Sequence, residues 1–235
     1  MKKTDIKIDK RIESLLSLIA NSNVIADIGC DHGFTCIAAL LRKKAKKVIA
    51  ADISNPSLNK ARRTAKELEL LDSFSFRCGD GLDVLEFGEA DTIIISGIGG
   101  ELMRDILLKG KNKLDISTRL ILSPNNRESI VRQWLIANGF LIDNEVLVHE
   151  NNKFYQIISA LTGKPEDYSE IELEFGKHIL NRKDENLEKY MMIKIKNCER
   201  ALDNLKKSDK NDDKKSEFSK KLKFYKEVSS WFQKK

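Results

Sequence analysis

The chain has 235 residues, 41% of them hydrophobic and 33% charged, with only three prolines and a net charge of +6. That supports one large or two small domains with a real core and a well-solvated surface. No apolar run reaches the roughly 18 residues a membrane-spanning helix needs, and residues 1–10 lack a secretion signal's apolar core, so a cytoplasmic protein with no membrane partner is expected.

Residues 9–20 read as an amphipathic helix. Asp9 is a plausible N-cap, and Ile12, Leu15, Leu16 and Ile19 share one face. Next comes Val24-Ile25-Ala26-Asp27-Ile28-Gly29-Cys30-Asp31-His32-Gly33. The apolar run is too short for a helix and breaks into a glycine turn, and a second apolar stretch, 34–41, follows at once. The pattern predicts strand, turn and helix, the usual opening of a nucleotide-binding α/β domain. The turn is not the dinucleotide G-x-G-x-x-G. Its acids Asp27 and Asp31 repel phosphates and attract a nucleoside that carries a sulfonium. The competing reading is a purely structural joint with helix-capping aspartates.

Lysines and an arginine at 42–47 suit a solvated helix end, with an RNA-phosphate patch as the alternative. A short strand, 47–51, ends at Asp52, about 20 residues past the glycine turn, where a carboxylate can accept from ribose hydroxyls. Asn55 then Pro56 predict an N-cap followed by Pro at the first helical position, and the helix runs on through Ala61 and Leu68. A third strand, 74–77, ends in Cys78-Gly79-Asp80-Gly81. Asp80 is placed to accept from an adenine amino group, or it is simply a turn aspartate. A buried strand, 91–95, ends in Ser96-Gly97-Ile98-Gly99-Gly100, more glycine than a helix start needs. A helix at 101–108, a strand at 119–122 ending in Ser123-Pro124-Asn125, and a helix at 127–138 capped by Gly139 follow. Residues 140–149 and 153–161 predict an antiparallel hairpin around Asn151-Asn152.

Five strand–helix alternations and a terminal hairpin predict a doubly wound Rossmann-like α/β sheet with an antiparallel edge. The acids and glycines above all fall at the carboxyl ends of its strands, where such sheets bind ligands.

Beyond Gly163-Lys164-Pro165 the composition changes. A helix at 170–181 continues into Leu187, Met191, Ile195, Cys198, Leu202 and Leu205, a coiled-coil seam. Residues 208–215 are polar, and Phe218, Leu222, Tyr225, Val228 and Phe232 resume the spacing. Residues 186–235 hold 15 Lys and Arg against 8 Asp and Glu, and the rest of the chain 27 against 28. The basic excess therefore sits in this C-terminal α-helical extension and suggests an anionic partner, RNA first. A structural or oligomerising coiled coil is the alternative. The domains expected are 1–163 and 164–235, with a monomer favoured. Cys30, Cys36, Cys78 and Cys198 form no C-x-x-C pair, and His32, His149 and His178 are scattered. Reduced thiols and no metal site are expected.

The ordered set resembles the bacterial tRNA (adenine-22-N1)-methyltransferases. It has Asp-Ile-Gly-x-Asp-His at 27–32, Gly-Asp-Gly-Leu at 79–82, Gly-x-Gly-Gly at 97–100, Leu-Ile-Leu-x-Pro-Asn at 120–125 and the helical extension. It departs from the usual family pattern at Cys30 (Ser), Phe34-Thr35-Cys36 (Tyr-Leu-Pro), Asp52 (Glu), Ile98 (Met) and Ser123 (Gln). Ser123 removes an amide near the expected base pocket. The resemblance implies a methyltransferase sheet, S-adenosyl-L-methionine as cofactor and tRNA as partner. On it, Asp27 and Gly29 shape the methionine end and Asp31 and His32 help there. Asp52 and Ile53 lie at the ribose, Asp80 and Gly81 at the adenine, and Gly97 beside both cofactor and target. Asp31, Ser96 and Asn125 are the catalytic candidates. Rival readings are a methyltransferase of a protein or small molecule, and a non-catalytic RNA-binding protein that keeps the fold. A dehydrogenase lacks its glycine motif.

Overall fold

The computed structural model describes residues 8–183, 185–206 and 212–233. They form two compact units, the first reaching His178 and the second starting at Ile179.

The first unit is built on a seven-stranded sheet. In chain order its strands are β1 (Ser22–Ile28), β2 (Ala45–Asp52), β3 (Phe74–Cys78), β4 (Thr92–Ser96), β5 (Arg119–Ser123), β6 (Phe140–Glu150) and β7 (Lys153–Thr162). In space they run β3-β2-β1-β4-β5-β7-β6. The first five are parallel. β7 is antiparallel to both β5 and β6. The expected hairpin is therefore present, but its second strand slots between β5 and the edge strand β6. Asn151 and Asn152 carry it at φ 49° and 61°. Two successive left-handed residues make the turn whose twist matches a hairpin, and Asn tolerates that region better than most side chains.

Strand residues alternate between two cores. Ala26, Ile28, Ile93, Ile95, Leu120 and Leu122 face helices α4 (Gly100–Lys109) and α5 (Glu128–Ala137) through Met103, Leu107, Val131 and Leu135. Ile25, Val48, Ala50, Ile94 and Ile121 face α1 (Lys10–Ser17), α2 (Phe34–Leu41) and α3 (Asn55–Glu67) through Leu15, Leu16, Cys36, Ala38 and Leu58. Burial on both faces explains why these strands read as continuous apolar runs.

Three helix details differ from expectation. The α3 cap is Ser54, whose Oγ accepts from Ser57 N at 3.4 Å, so Pro56 stands one position further in. α1 stops at Ser17, although Ile19 is buried as expected. The stretch 170–181 is two helices, α6 (Glu170–Phe175) and α7 (Lys177–Arg182), broken at Gly176 with φ 87°. A Cβ there would lie 2.9 Å from Arg132 Nη2 and from both Glu145 carboxylate oxygens. Only glycine fits this left-handed corner.

Those neighbours form a buried polar network. Arg132 and Glu145 are both fully buried, joined Nε to Oε1 at 2.6 Å. Arg132 also donates to Gln156 Oε1 and, at 2.7 Å, to the Leu173 carbonyl. Gln156 Nε2 donates to Glu174 O at 3.0 Å. Residues 164–178, assigned from composition to the extension, thus pack on the sheet unit. An apolar-run reading misses this, because the attachment is polar.

In the second unit, α8 (Glu185–Lys206) and α9 (Asp212–Gln233) are 22 residues each and pack on one another within the chain. Leu187, Met191, Cys198, Tyr225 and Val228 are buried, as the seam spacing requires. Lys226 Nζ and Glu199 Oε1 pair across the helices at 2.7 Å. Residues 208–211 of the expected polar linker lie outside the described residues, as does the Phe232 side chain. No helix among the described residues is long and apolar enough to cross a membrane.

Candidate active site at the carboxyl edge of the sheet

β1 ends in a turn that leans on β2. Gly29 N and Cys30 N both donate to Ala51 O, at 2.8 and 3.0 Å. Gly29 has φ 75°, and a Cβ on it would meet nothing within 4 Å. The space above it is open, so a ligand can approach the backbone. Gly33 serves a different end. A Cβ there would come within 2.8 Å of Ala61 Cβ, so glycine lets α2 start against α3. Asp31, at φ 45°, turns its amide onto Asp52 Oδ2 at 3.0 Å, while Asp52 Oδ1 takes Ser54 N at 2.8 Å. Asp52 is thereby held by the glycine turn itself.

A cleft of about 180 Å³ opens over this turn, lined by Asp27, Gly29, Asp31, His32 and Ser96 together with Phe34 and Arg11. Five of the expected site residues are thus brought together. Asp27 forms its floor and is only 3% exposed. Burial pushes its carboxyl up to about 7, against hydrogen bonding from Thr35 and Cys36 and with repulsion from Asp52. His32 Nε2 is 3.4 Å from Asp31 Oδ2, and its ring stacks on Phe34 at 5.6 Å. Phe34 remains 44% exposed, an aromatic face at the mouth. Burial, then the neighbouring carboxylates, raise the thiols of Cys30 and Cys36, which makes them poor nucleophiles.

The other expected residues lie along the same edge. Asn125 Nδ2 donates to Gly97 O at 2.5 Å and its N to Ile98 O at 2.8 Å, which ties the loops after β5 and β4 together. Ile53 is 75% exposed. Asp80 and Gly81 line a separate hollow of about 100 Å³ with Leu102, Ile106 and Lys109. Lys109 Nζ is 2.7 Å from Asp80 and 3.2 Å from Asp83.

Ser123 lies beside the Gly97 turn, whose N donates to its carbonyl at 3.1 Å. It is fully buried, and Arg11 takes both its oxygens: Nη2 to the carbonyl at 2.9 Å and Nε to Oγ at 3.3 Å. That position is covered by the N-terminal helix. Arg11 itself escaped the sequence reading, as did Lys109. Both stand on helices far along the chain from their partners, and no spacing signals them.

Comparison with known proteins agrees with the geometry. The family "tRNA (adenine(22)-N(1))-methyltransferase" matches residues 25–227. A Bacillus subtilis (strain 168) protein of the same name is 38% identical over 173 residues, 73% of each chain. The crystal structure of the B. subtilis M1A22 tRNA methyltransferase TrmK superposes with TM-score 0.84 at 30% identity, covering 96% of this chain and 100% of that one. A "putative tRNA (m1A22) methyltransferase" from Streptococcus pneumoniae, in complex with S-adenosyl-L-methionine, gives TM-score 0.84 at 28% identity over 94% and 99%. The resemblance carried by the motifs is thus borne out: the chain belongs to the tRNA (adenine(22)-N(1))-methyltransferase family.

Proposed function

We propose that this protein transfers a methyl group from S-adenosylmethionine to N1 of adenine 22 in tRNA, using the acid-lined edge of β1, β2 and β3 for the cofactor. The observation that carries the reading is a buried carboxyl, Asp27, beneath an open glycine turn in a chain of this family.

The residues present fit the cofactor. Neighbouring strands are about 4.8 Å apart, so the ends of β1 and β3 are separated by about 10 Å, a span that adenosine with an amino-acid tail bridges. Asp27 and Gly29 hold the methionine end, Asp52 accepts from the ribose hydroxyls beside Ile53, and Asp80 with Gly81 takes the adenine. The Lys109 pair on Asp80 is exposed to solvent on both sides, so it is weak and gives way to a better partner.

When bound, the cofactor supplies an electrophilic methyl on a sulfonium. Adenine N1 has an in-plane lone pair and attacks without first losing a proton. The N–C bond forms, the S–C bond breaks with its electrons going to sulfur, and the positive charge passes to the adenine ring. The protein's work is therefore positioning. Ser96, Gly97 and Asn125 border the target base, and Phe34 offers it a stacking face. Asp31 and His32, both lining the cleft, stabilise the developing ring charge. The target must leave its stack to reach them, and the exposed lysines of α8 and α9 hold the RNA backbone. This work on tRNA belongs to the cytoplasm.

Three measurements test this. Incubation of unmodified tRNA with cofactor and protein yields 1-methyladenosine by nucleoside mass spectrometry, and none from tRNA with guanine at position 22; methylation elsewhere overturns the assignment. Asp52→Ala weakens S-adenosylmethionine binding by about 1–3 kcal/mol, as expected for one charged hydrogen-bond acceptor; unchanged calorimetric affinity in the folded variant removes Asp52 from the site. Replacing Lys189, Lys196, Arg200, Lys220 and Lys223 with Gln weakens tRNA binding and flattens its salt dependence by roughly 0.7–0.9 for each phosphate no longer neutralised. A slope equal to that of the unaltered protein refutes the role of the extension.

A further inference from the structure

We propose that helix α3 of the sheet unit is a track for the RNA backbone, on which Lys60, Arg63 and Lys66 each meet a phosphate. The proposal rests on the tRNA reading above, and it adds a surface that the charge count of the whole chain conceals.

Residues 1–185 are close to neutral, with 27 Lys and Arg against 28 Asp and Glu, but the two signs are not mixed evenly. Residues 42–66 hold nine Lys and Arg against a single acid, Asp52, which leaves 18 against 27 in the rest of that stretch. α3 carries four of the nine. Leu58, Ala61 and Ala65 bury its inner face, and Lys60, Arg62, Arg63 and Lys66 are exposed on the outer one.

A charged outer face is the usual finish of an amphipathic helix, but such a face normally sets acids among its bases. α3 does not. Its one acid is Glu67, its last residue, with Glu69 and Asp72 beyond its end. Arg62 and Lys66 stand four residues apart, where like charges repel and weaken a helix. Among the described residues none of the four cations of α3 has an ion-pair partner, whereas Arg77, Arg104, Lys109, Arg119 and Arg127 of the same unit each hold a carboxylate. Arg62 is engaged otherwise, 4.8 Å over the Phe76 ring and donating to Asn59 Oδ1 at 3.0 Å. Lys60, Arg63 and Lys66 remain. An arrangement that costs the free helix stability is one that an anion relieves.

Placement and composition say which anion. α3 starts at the loop that holds Asp52. Ser54 caps it, and Ser57 Oγ lies 3.5 Å from Asp31 Oδ1 at the cleft. From there the helix leads away, with Lys66 about 9 Å further along its axis than Lys60. The track is thus continuous with the edge at which a target base enters. No exposed large apolar side chain stands among its cations, so it lacks the apolar centre of a protein interface. Lysines and an arginine on flexible stems neutralise phosphates and read no bases, so the track positions the RNA without choosing its sequence.

The test measures tRNA affinity against salt for the full chain and for the triple variant Lys60→Gln, Arg63→Gln, Lys66→Gln. Gln is nearly as good a helix former as Lys or Arg, so these exposed changes leave α3 in place. The slope of log affinity against log salt flattens by roughly 0.7–0.9 for each phosphate no longer met, about two in all. Affinity for S-adenosylmethionine stays the same. Lys60→Arg with Lys66→Arg keeps the full slope, because charge is what the phosphates meet. A folded triple variant with the slope of the unaltered protein overturns the proposal. So does a loss confined to S-adenosylmethionine affinity, which makes α3 a support for the cofactor loop only. Where the triple variant does not fold, Arg63→Gln alone flattens the slope by about 0.7–0.9, and no flattening there overturns the proposal equally. If the unaltered protein neither binds nor methylates tRNA, the substrate reading itself fails, which is a different result from a slope that α3 does not share.

Discussion

Arg132→Ala destabilises the protein by about 3–5 kcal/mol, the cost of leaving a buried charge without its partner. Glu145 has no route to solvent in the folded state, since both side chains are fully buried. It keeps the His178 amide at 3.1 Å but is deprived of its only cation among the described residues. The Leu173 carbonyl and Gln156 are left without their Arg132 donors as well. Urea denaturation checks the magnitude. The double replacement Arg132→Met with Glu145→Leu recovers much of the stability, because two apolar side chains carry no desolvation cost. If the single variant melts like the unaltered protein, the network is ornamental and α6 is held by its apolar packing. Proteolysis gives a second readout: cleavage at residues 164–178 rises in Arg132→Ala, because the network is what ties that segment to the sheet.

Asp27→Asn raises the stability of the ligand-free protein at pH 8 and lowers its affinity for S-adenosylmethionine. An unfolded Asp titrates near 3.8, and burial raises Asp27 to about 7. Below the lower value both states are protonated and the carboxyl imposes no penalty. Between the two the unfolded state alone is ionised, so stability falls as pH rises. Above the upper value the folded protein holds a buried carboxylate at a cost of about 4 kcal/mol. Asparagine removes that slope. A sulfonium beside Asp27 favours the ionised form, so binding expels the proton. Affinity for S-adenosylmethionine therefore climbs with pH up to about 7 and then levels, and the heat of binding near pH 6 depends on the buffer's ionisation enthalpy. S-adenosylhomocysteine, with an uncharged sulfur, shows a weaker trend. Identical pH profiles for the two, or a flat one for both, would mean that Asp27 does not face the sulfonium.

The candidate cleft was legible where its residues are local in sequence. Asp27, Gly29, Asp31 and His32 sit on one turn, and a glycine turn after a short apolar run has few structural meanings. Asp52 and Asp80 were legible because parallel strands place their carboxyl ends on one edge. Arg11 and Lys109 were not, since an arginine or lysine on an amphipathic helix looks the same whether it meets solvent, Ser123 or Asp80. The cover over Ser123 was hidden for the same reason, since it comes from a helix 112 residues earlier.

Periodicity and turn chemistry in the chain alone determine the strand–helix alternation, the Asn151-Asn152 hairpin, the glycine turn with its acids and the two C-terminal helices, because each depends on neighbours a few residues apart. Tertiary structure decided the rest. It set β7 between β5 and β6, broke the 170–181 helix at Gly176, tied residues 164–178 to the sheet through Arg132, and brought α1 to the cleft. Each of these turns on a buried polar interaction or a strand pairing between segments distant in sequence, and neither leaves a period in the chain.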